Sequence, residues 1–458
     1  MKHIQLLILF LTIPFLSSAQ IEEQPDKSLV GYWSGAMIRS GNSVQNMTAE
    51  IYEEGDSLVI GVSIPDWVYY PPKESAFIFE KGSVVTFDTY YGEATMVLDS
   101  TYLEMTGTIS DSNPPYQFHL KKSLKPFSPN VLSKDIAITN EGADVGGTLY
   151  YKEGIDKLMA GAVIVHGRGC GTRQWKKTRA IKLAEYGIAA FVYDKRGSES
   201  SGFPCEEATH NQNVSDVSAI VKKLSNEPLI DKNKIGLVSY SAGGWIAPHV
   251  AQVSDVPIAF LITLVGPTTS VKQQQLDGLE AFLEEAGFDE EAINEAKAYT
   301  ELMFTKNDYA TAHKKMQELL TKAKEKGWDQ WLVEDDYADS PEEIKQMWVQ
   351  RFSYDPAEAI KLFEGPYLAV FAEKDPVVPY QKQIERLKLL KTEQPALNVS
   401  TKIIPSAYHS MEHGPEVRDL GRDALYNQPS YYYKYDRVAY GAIGYTVNFL
   451  EKNNFLEK

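Results

Sequence analysis

Between Gly31 and about Leu124, apolar and polar residues alternate in short runs: MTAEIYEE, SLVIGVSI, SVVTFDTY, ATMVLDS, LEMTGTI and YQFHLKK. A period of two puts alternate side chains on one face of an extended chain, so this stretch predicts an all-β module within residues 20–124. Pro71-Pro72 and Pro114-Pro115 punctuate it, and Trp33 and Trp67 read as core or interface aromatics. The segment KPFSPNVLSKD carries two prolines and no period, and reads as a linker over 125–134. No chemistry is visible up to this point.

Beyond the linker the pattern changes. Short apolar runs at Ala162–Val165, Ala189–Tyr193, Ile235–Val238, Ala259–Leu264, Tyr367–Phe371 and Val399–Ile404 lack alternation, as strands buried on both faces do. Helical stretches such as TRAIKLAEYG and VSDVSAIVKKLSNE separate the first of them, which predicts an α/β domain over 135–458 with a mainly parallel sheet. Residues 270–355 break the alternation with Ala, Glu, Lys and Leu at helical spacing, a predicted helical insertion. Its acidic residues outnumber basic ones about two to one, as on a solvated face.

Composition narrows the function classes. The chain has 458 residues, 43 % hydrophobic and 24 % charged, which is ordinary globular usage and disfavours collagen, coiled coil and wholesale disorder. The 62 acidic and 46 basic residues give a net charge of −16, which disfavours nucleic acid or an anionic membrane surface as partner. At the start, MKHIQLLILFLTIPFLSSAQ has Lys2, an apolar run from Ile4 to Phe15 and small residues to Ala19, so residues 1–19 read as a cleaved secretory signal. The run is too short for a membrane span, and a secreted or periplasmic location follows as the expectation. Two cysteines, Cys170 and Cys205, allow one disulfide in such a compartment or two small buried thiols.

The chemistry concentrates at strand ends. KIGLVS runs into Tyr240-Ser241-Ala242-Gly243-Gly244 and then WIAPHVAQV, a strand, tight turn and helix that would present Ser241 as nucleophile. Ser239 stands where the Gly-x-Ser-x-Gly pattern has its first glycine. Upstream, AVIV ends in His166-Gly167-Arg168-Gly169, a turn able to aim N–H groups at a developing oxyanion. It has neither a Gly-Lys-Ser/Thr end nor Gly-x-Gly-x-x-Gly, so a phosphate cradle is disfavoured. Downstream, YLAVF leads to Asp375 and VSTKII to His409, completing the order nucleophile, acid, base.

From about Lys134 onward the chain resembles the α/β-hydrolase superfamily, in its prolyl-oligopeptidase-like and dienelactone-hydrolase-like branch of serine hydrolases. The matching pieces are DIAITNEGADVGGTLYYKEG, VHGRGCGTR, FVYDKRGSESSG, VSYSAGG, FAEKDPVVP and SAYHS. The β module with GYWSG resembles the N-terminal domain of secreted bacterial esterases of this type. The resemblance implies an α/β-hydrolase fold with a helical lid, Ser241 as nucleophile, His409 as base and Asp375 as its orienting acid. It implies an oxyanion hole at the N–H of Ala242 and of Gly167 or Arg168, with Asp194 and Arg196 bracing loops. Cys170 and Cys205 both follow sheet strands on the active-site side, which favours their disulfide.

The implied substrate is a small carboxylic ester, with no cofactor and no metal; oligomeric state is unreadable. Tyr240, Trp328, Trp331 and Trp348 are candidate pocket residues. A serine peptidase or acyl-aminopeptidase would use the same triad, but an N-terminal module of about a hundred residues is too short for the propeller that such peptidases carry. His409-Ser410-Met411-Glu412-His413 also spells the H-x-x-E-H of a zinc peptidase, though Pro405 before it and Gly414-Pro415 after it leave less than two helical turns. A non-catalytic binding protein on this fold is the remaining alternative.

Overall fold

The computed structural model describes residues 27–38, 44–63, 73–79, 83–89, 92–109, 115–124, 130–198, 204–405, 407–409, 411 and 440–456. The expected signal segment, Trp67, Glu412 and His413 lie outside these residues.

The N-terminal module is a nine-stranded antiparallel sheet, in the order β4-β3-β2-β1-β9-β8-β7-β6-β5. Its strands are β1 (Gly31–Ile38), β2 (Val44–Glu54), β3 (Ser57–Ser63), β4 (Lys73–Ala76), β5 (Ile78–Phe79), β6 (Val84–Thr89), β7 (Gly92–Leu98), β8 (Glu104–Ile109) and β9 (Tyr116–Ser123). Alternation sets which side chains turn inward: Ala94, Met96 and Leu98 of β7 are buried while Glu93, Thr95 and Val97 are not. Trp33 is fully buried in this core, and its Nε1–H donates to Leu29 O at 3.0 Å.

The second domain is built on an eight-stranded sheet in the order β10-β13-β15-β14-β16-β17-β18-β19. The strands are β10 (Val131–Ile136), β13 (Gly147–Lys152), β14 (Met159–Val165), β15 (Ala189–Tyr193), β16 (Ile230–Tyr240), β17 (Leu261–Leu264), β18 (Tyr367–Ala372) and β19 (Val399–Ile404). A separate two-stranded ribbon pairs β11 (Thr139–Asn140) with β12 (Ala143–Asp144). From β15 to β19 all pairings are parallel, and β13 joins β15 antiparallel. β10 begins inside the segment expected to be linker: VLSKDI is polar and mostly exposed, so only its antiparallel ladder with β13 marks it as strand.

The unbroken apolar strands are explained by cover on both faces. In β18, Tyr367, Ala369 and Phe371 enter one core, and Leu368, Val370 and Ala372 the other. The first core is closed by α2 (His210–Leu224), α3 (Gly243–Val253), α9 (Ala357–Leu362) and α10 (Tyr380–Glu393); the second by α1 (Lys177–Glu185) and α11 (Tyr440–Lys452). Helix α2 illustrates the local cause. Val214, Val217, Ile220, Val221 and Leu224 form one apolar stripe, and Thr209 caps its start by accepting from Gln212 N while Gln212 Oε1 accepts from Thr209 N.

Between β17 and β18 the chain leaves the sheet as α4 (Val271–Glu285), α5 (Glu290–Met303), α6 (Tyr309–Lys326), α7 (Pro341–Gln346) and α8 (Trp348–Phe352), with α9 returning to it. These helices share their own core around Tyr299, Met316, Trp328 and Val349. Among the described residues, no helix is long and apolar enough to cross a membrane.

Two of the buried histidines, His166 and His210, are expected to make the fold acid-sensitive. His166 and His210 are each 3 % exposed, and burial pushes both imidazoles down to about 3, with the charges of Lys176 and Lys195 adding to the effect at His166 and His249 at His210. Both are neutral in the folded protein above that value but take a proton near pH 6.5 when unfolded, so stability is complete above about pH 6.5 and falls as pH drops towards 3. Each contributes a slope of about 1.4 kcal/mol per pH unit in that window. His210 clusters with His249 and Tyr354, whose rings also stack on each other, and it does not line the cavity at Ser241. Thermal unfolding followed from pH 7 to 4 is expected to show a shallower acid limb in His210→Gln than in the parent; identical limbs would refute the assignment.

Candidate active site

The sheet order changes direction at β14, whose neighbours are β15 on one side and β16 on the other. At such a switch point the loops leaving the two strands part and open a crevice. His166–Gly169 leaves β14 there, and Ser241 follows β16.

Ser241 has φ +49°, a left-handed conformation that a non-glycine residue adopts only under constraint. The constraint is local: Ser241 N–H donates to Leu264 O at 3.2 Å, and Ser241 O accepts from Gly244 N at 2.7 Å. The turn fits because its neighbours are small. A methyl group on Gly243 would stand 2.9 Å from His166 O, and one on Gly244 2.7 Å from Gly266 Cα. Ser239, fully buried two residues before the tip, fills the position of the missing glycine.

The loops after β18 and β19 meet this tip. Lys374 N–H donates to Ala407 O at 2.8 Å, tying the two loops together. His409 Nε2 lies 3.0 Å from Ser241 Oγ, and His409 Nδ1 donates to Asp375 Oδ2 at 2.8 Å. Asp375 is 5 % exposed, and its other oxygen accepts from the amides of Val377 and Val378 at 2.9 and 3.0 Å. This chain of hydrogen bonds can move the Ser241 proton to His409 while the carboxylate stays ionised.

Ala242 and Arg168 face the same space as Ser241, and a methyl on Gly167 would lie 3.2 Å from Ser241 Cβ. Among the described residues, the main-chain N–H groups of Ala242, Gly167 and Arg168 donate to no carbonyl. His166 anchors the start of the loop, its Nε2–H donating to Tyr193 O at 2.8 Å. Cys170 and Cys205 form a disulfide with 5.3 Å between their Cα atoms, fastening the loop to the helical turn Cys205–Glu207 ahead of α2. Asp194 accepts from Arg173 N and Nε, both at 2.7 Å, and Arg196 pairs with Asp216, so both acidic and basic members of DKRG brace structure.

A cavity of about 360 Å³ opens from Ser241 beneath the insertion. Its apolar wall includes Trp245, Leu279, Phe282, Met303, Trp331 and Trp348. Arg168 stacks over Trp348 at 4.4 Å. Two expected pocket residues lie elsewhere. Trp328 is fully buried in the insertion's own core, edge-on to Tyr299, and does not line the cavity. Tyr240 points to the opposite face of β16, as the period of two requires for the neighbour of an active-site-facing residue; its hydroxyl accepts from Arg179 at 3.2 Å.

Among the lining residues not foreseen from sequence are Trp245 and Asp336. Trp245 is four residues past Ser241 on α3, a spacing that places it on the same side and was legible in principle. Asp336 also lines the cavity, and burial pushes its carboxyl up; nothing in its EDD context marks it.

Comparison with solved structures returns matches at low identity. Est1E from Butyrivibrio proteoclasticus is 15% identical over 70% of this chain and 98% of its own, with a TM-score of 0.41. A bacterial heroin esterase is 15% identical over 73% and 87%, at 0.41. A protein from Bacteroides ovatus assigned as a dipeptidyl aminopeptidase IV is 13% identical over 86% and 48%, at 0.42. No curated protein matches the chain. The family comparison matches residues 162–419, which span β14 to beyond His409, and on that match the chain belongs to the alpha/beta hydrolase family.

Proposed function

We propose that this hydrolase cleaves carboxylic esters through an acyl-enzyme on Ser241. The observation that carries the reading is the Ser241–His409–Asp375 hydrogen-bond chain at the strained tip after β16. Ser241 Oγ attacks the acyl carbon as His409 takes its proton, and Asp375 holds the imidazole and stabilises the imidazolium. The tetrahedral oxyanion rests against the amides of Ala242 and the loop after β14. His409 returns the proton to the leaving alkoxide, and water then attacks the acyl-enzyme by the same route. The apolar cavity suits an aliphatic or aromatic acyl group, and the ester bond is preferred to the peptide because the N-terminal module, over its described residues, is one nine-stranded antiparallel sheet and not a ring of propeller blades. The disulfide supports the reading of an exported protein.

The test is a panel of p-nitrophenyl esters and peptide nitroanilides with the purified chain. Turnover of the esters, unchanged by EDTA, and fluorophosphonate labelling of Ser241 are expected. Turnover confined to the anilides would move the reading to a peptidase, and loss on chelation restored by zinc would move it to a metal site.

In this reading α4–α8 act as a lid whose inner face selects the acyl group. Trp331→Ala and Trp348→Ala are expected to shift the preferred acyl length upward with the fold intact. Trp328→Ala is expected to cost about 3–5 kcal/mol of stability and leave the preference unchanged, because its ring fills the insertion core. Unchanged preference in both cavity variants would remove the lid.

A further inference from the structure

We infer that Lys195 is a positioning residue for the oxyanion hole, acting through the Gly167–Arg168 peptide. This rests on the serine-hydrolase reading above and adds to it a group that touches neither substrate nor the reacting atoms.

Lys195 follows Asp194 at the end of β15 and is 2 % exposed. Its Nζ donates to Gly167 O at 3.0 Å and to Gly169 O at 2.6 Å, and its own main-chain N–H donates to Gly171 O at 2.9 Å. One residue thus gathers three carbonyls of the loop after β14. It forms no ion pair among the described residues, and Asp216, the nearest acidic influence on it, is engaged by Arg196 through both oxygens at 2.7 Å. A buried ammonium without a carboxylate is costly unless carbonyls solvate it, so the loop and the lysine hold each other in place.

The consequence is one of peptide geometry. In a trans peptide the C=O and the following N–H point in opposite directions. With Gly167 O drawn to Lys195, the Arg168 N–H is turned away from the lysine, to the side where Gly167 packs against Ser241. That N–H has no carbonyl partner, and Arg168 lines the cavity together with Ser241 and Ala242, so the orientation of the peptide assigns Arg168 and Ala242 as the pair of donors, with Gly167 contributing its carbonyl and not its own amide. The charge on Nζ also polarises the Gly167–Arg168 peptide and strengthens the N–H as a donor.

Lys195→Met removes the charge and both hydrogen bonds at similar length. Because the group acts on the transition state, kcat for p-nitrophenyl butyrate is expected to fall about 10²-fold with KM nearly unchanged. Affinity for an alkylboronic acid, which forms a tetrahedral adduct on the serine, is expected to fall by the same factor. A lysine that only supports the fold would instead lower the melting temperature and leave kcat and boronate affinity intact in the folded fraction. Should the methionine variant not fold, Lys195→Gln, with one neutral donor group, is expected to give an intermediate loss in both readouts. An active parent whose folded variants match it in kcat and boronate affinity would overturn this inference alone. A parent that turns over no ester and takes no fluorophosphonate would overturn the serine-hydrolase reading and this inference with it.

Discussion

Asp375→Asn is expected to lower kcat by about 10³–10⁴-fold with KM little changed. The direction follows from how the carboxylate is held. Asp375 Oδ1 accepts from two backbone amides, Val377 and Val378, and Oδ2 accepts from His409. An asparagine must keep its carbonyl oxygen toward the two amides, since its NH₂ there would meet two donors. The NH₂ then faces His409 Nδ1, which can only accept from it, and the ring proton moves to Nε2. A protonated Nε2 cannot take the Ser241 proton. His409→Ala is expected to be as damaging, and Ser241→Ala to lose fluorophosphonate labelling as well. The double variant His409→Ala/Asp375→Asn should be little worse than either single one, because the groups act as a unit. His413→Ala is the control for the H-x-x-E-H spelling and is expected to retain activity. Asparagine at 375 with parental kcat, or a His413 variant as inactive as that of His409, would show that the proton path runs elsewhere.

The site was legible where chemistry and chain order coincide and obscure where orientation decides. Ser241 and Asp375 could be named because each follows an apolar run of the kind that a strand buried on both faces produces, whereas His409 follows β19, whose VSTKII is mostly exposed, and was named from its place in the chain order after Asp375. Strand ends were harder to read. β16 continues back to Ile230 through Asp231, Lys232 and Asn233, polar residues at its exposed end that no apolar period marks. The module's start at Gly31 was legible, but β1 is missing from the alternating runs for the opposite reason: Gly35, Ala36 and Met37 are buried consecutively, so no alternation appears. Trp328 and Trp348 look alike in sequence, and both join the insertion's core, yet only Trp348 also reaches Arg168 and the cavity. Their difference is set by how the helices pack on one another, which spacing does not encode. Lys195 was invisible as more than part of DKRG, because its role comes from carbonyl groups some 26 and 28 residues earlier in the chain.

Gly243→Ala is expected to reduce kcat/KM by at least about 10²-fold while the domain still folds. The added methyl would meet His166 O at 2.9 Å, Val165 O at 3.1 Å and Ser239 Cβ at 3.1 Å. Two of these are backbone atoms of the central strand and the oxyanion loop, which are fixed by the sheet ladder and by the His166 bond to Tyr193. They cannot yield as a flexible side chain would, so the start of α3 must back away from β14. Such overpacking costs about 1–3 kcal/mol, a loss readable as a lower melting temperature. The larger effect is on geometry. Ser241 is held at φ +49° by the bonds to Leu264 and Gly244, and displacement of α3 carries Oγ and the Ala242 amide with it. A misplacement of about 1 Å is enough for a 10²-fold loss in rate. Ser239→Gly is the matched comparison, because it removes atoms from the same contact; it is expected to stay within about 3-fold of the parent, consistent with the small volume that this position requires. Parental kcat/KM in Gly243→Ala would mean that the approach of α3 to β14 does not set the position of Ser241.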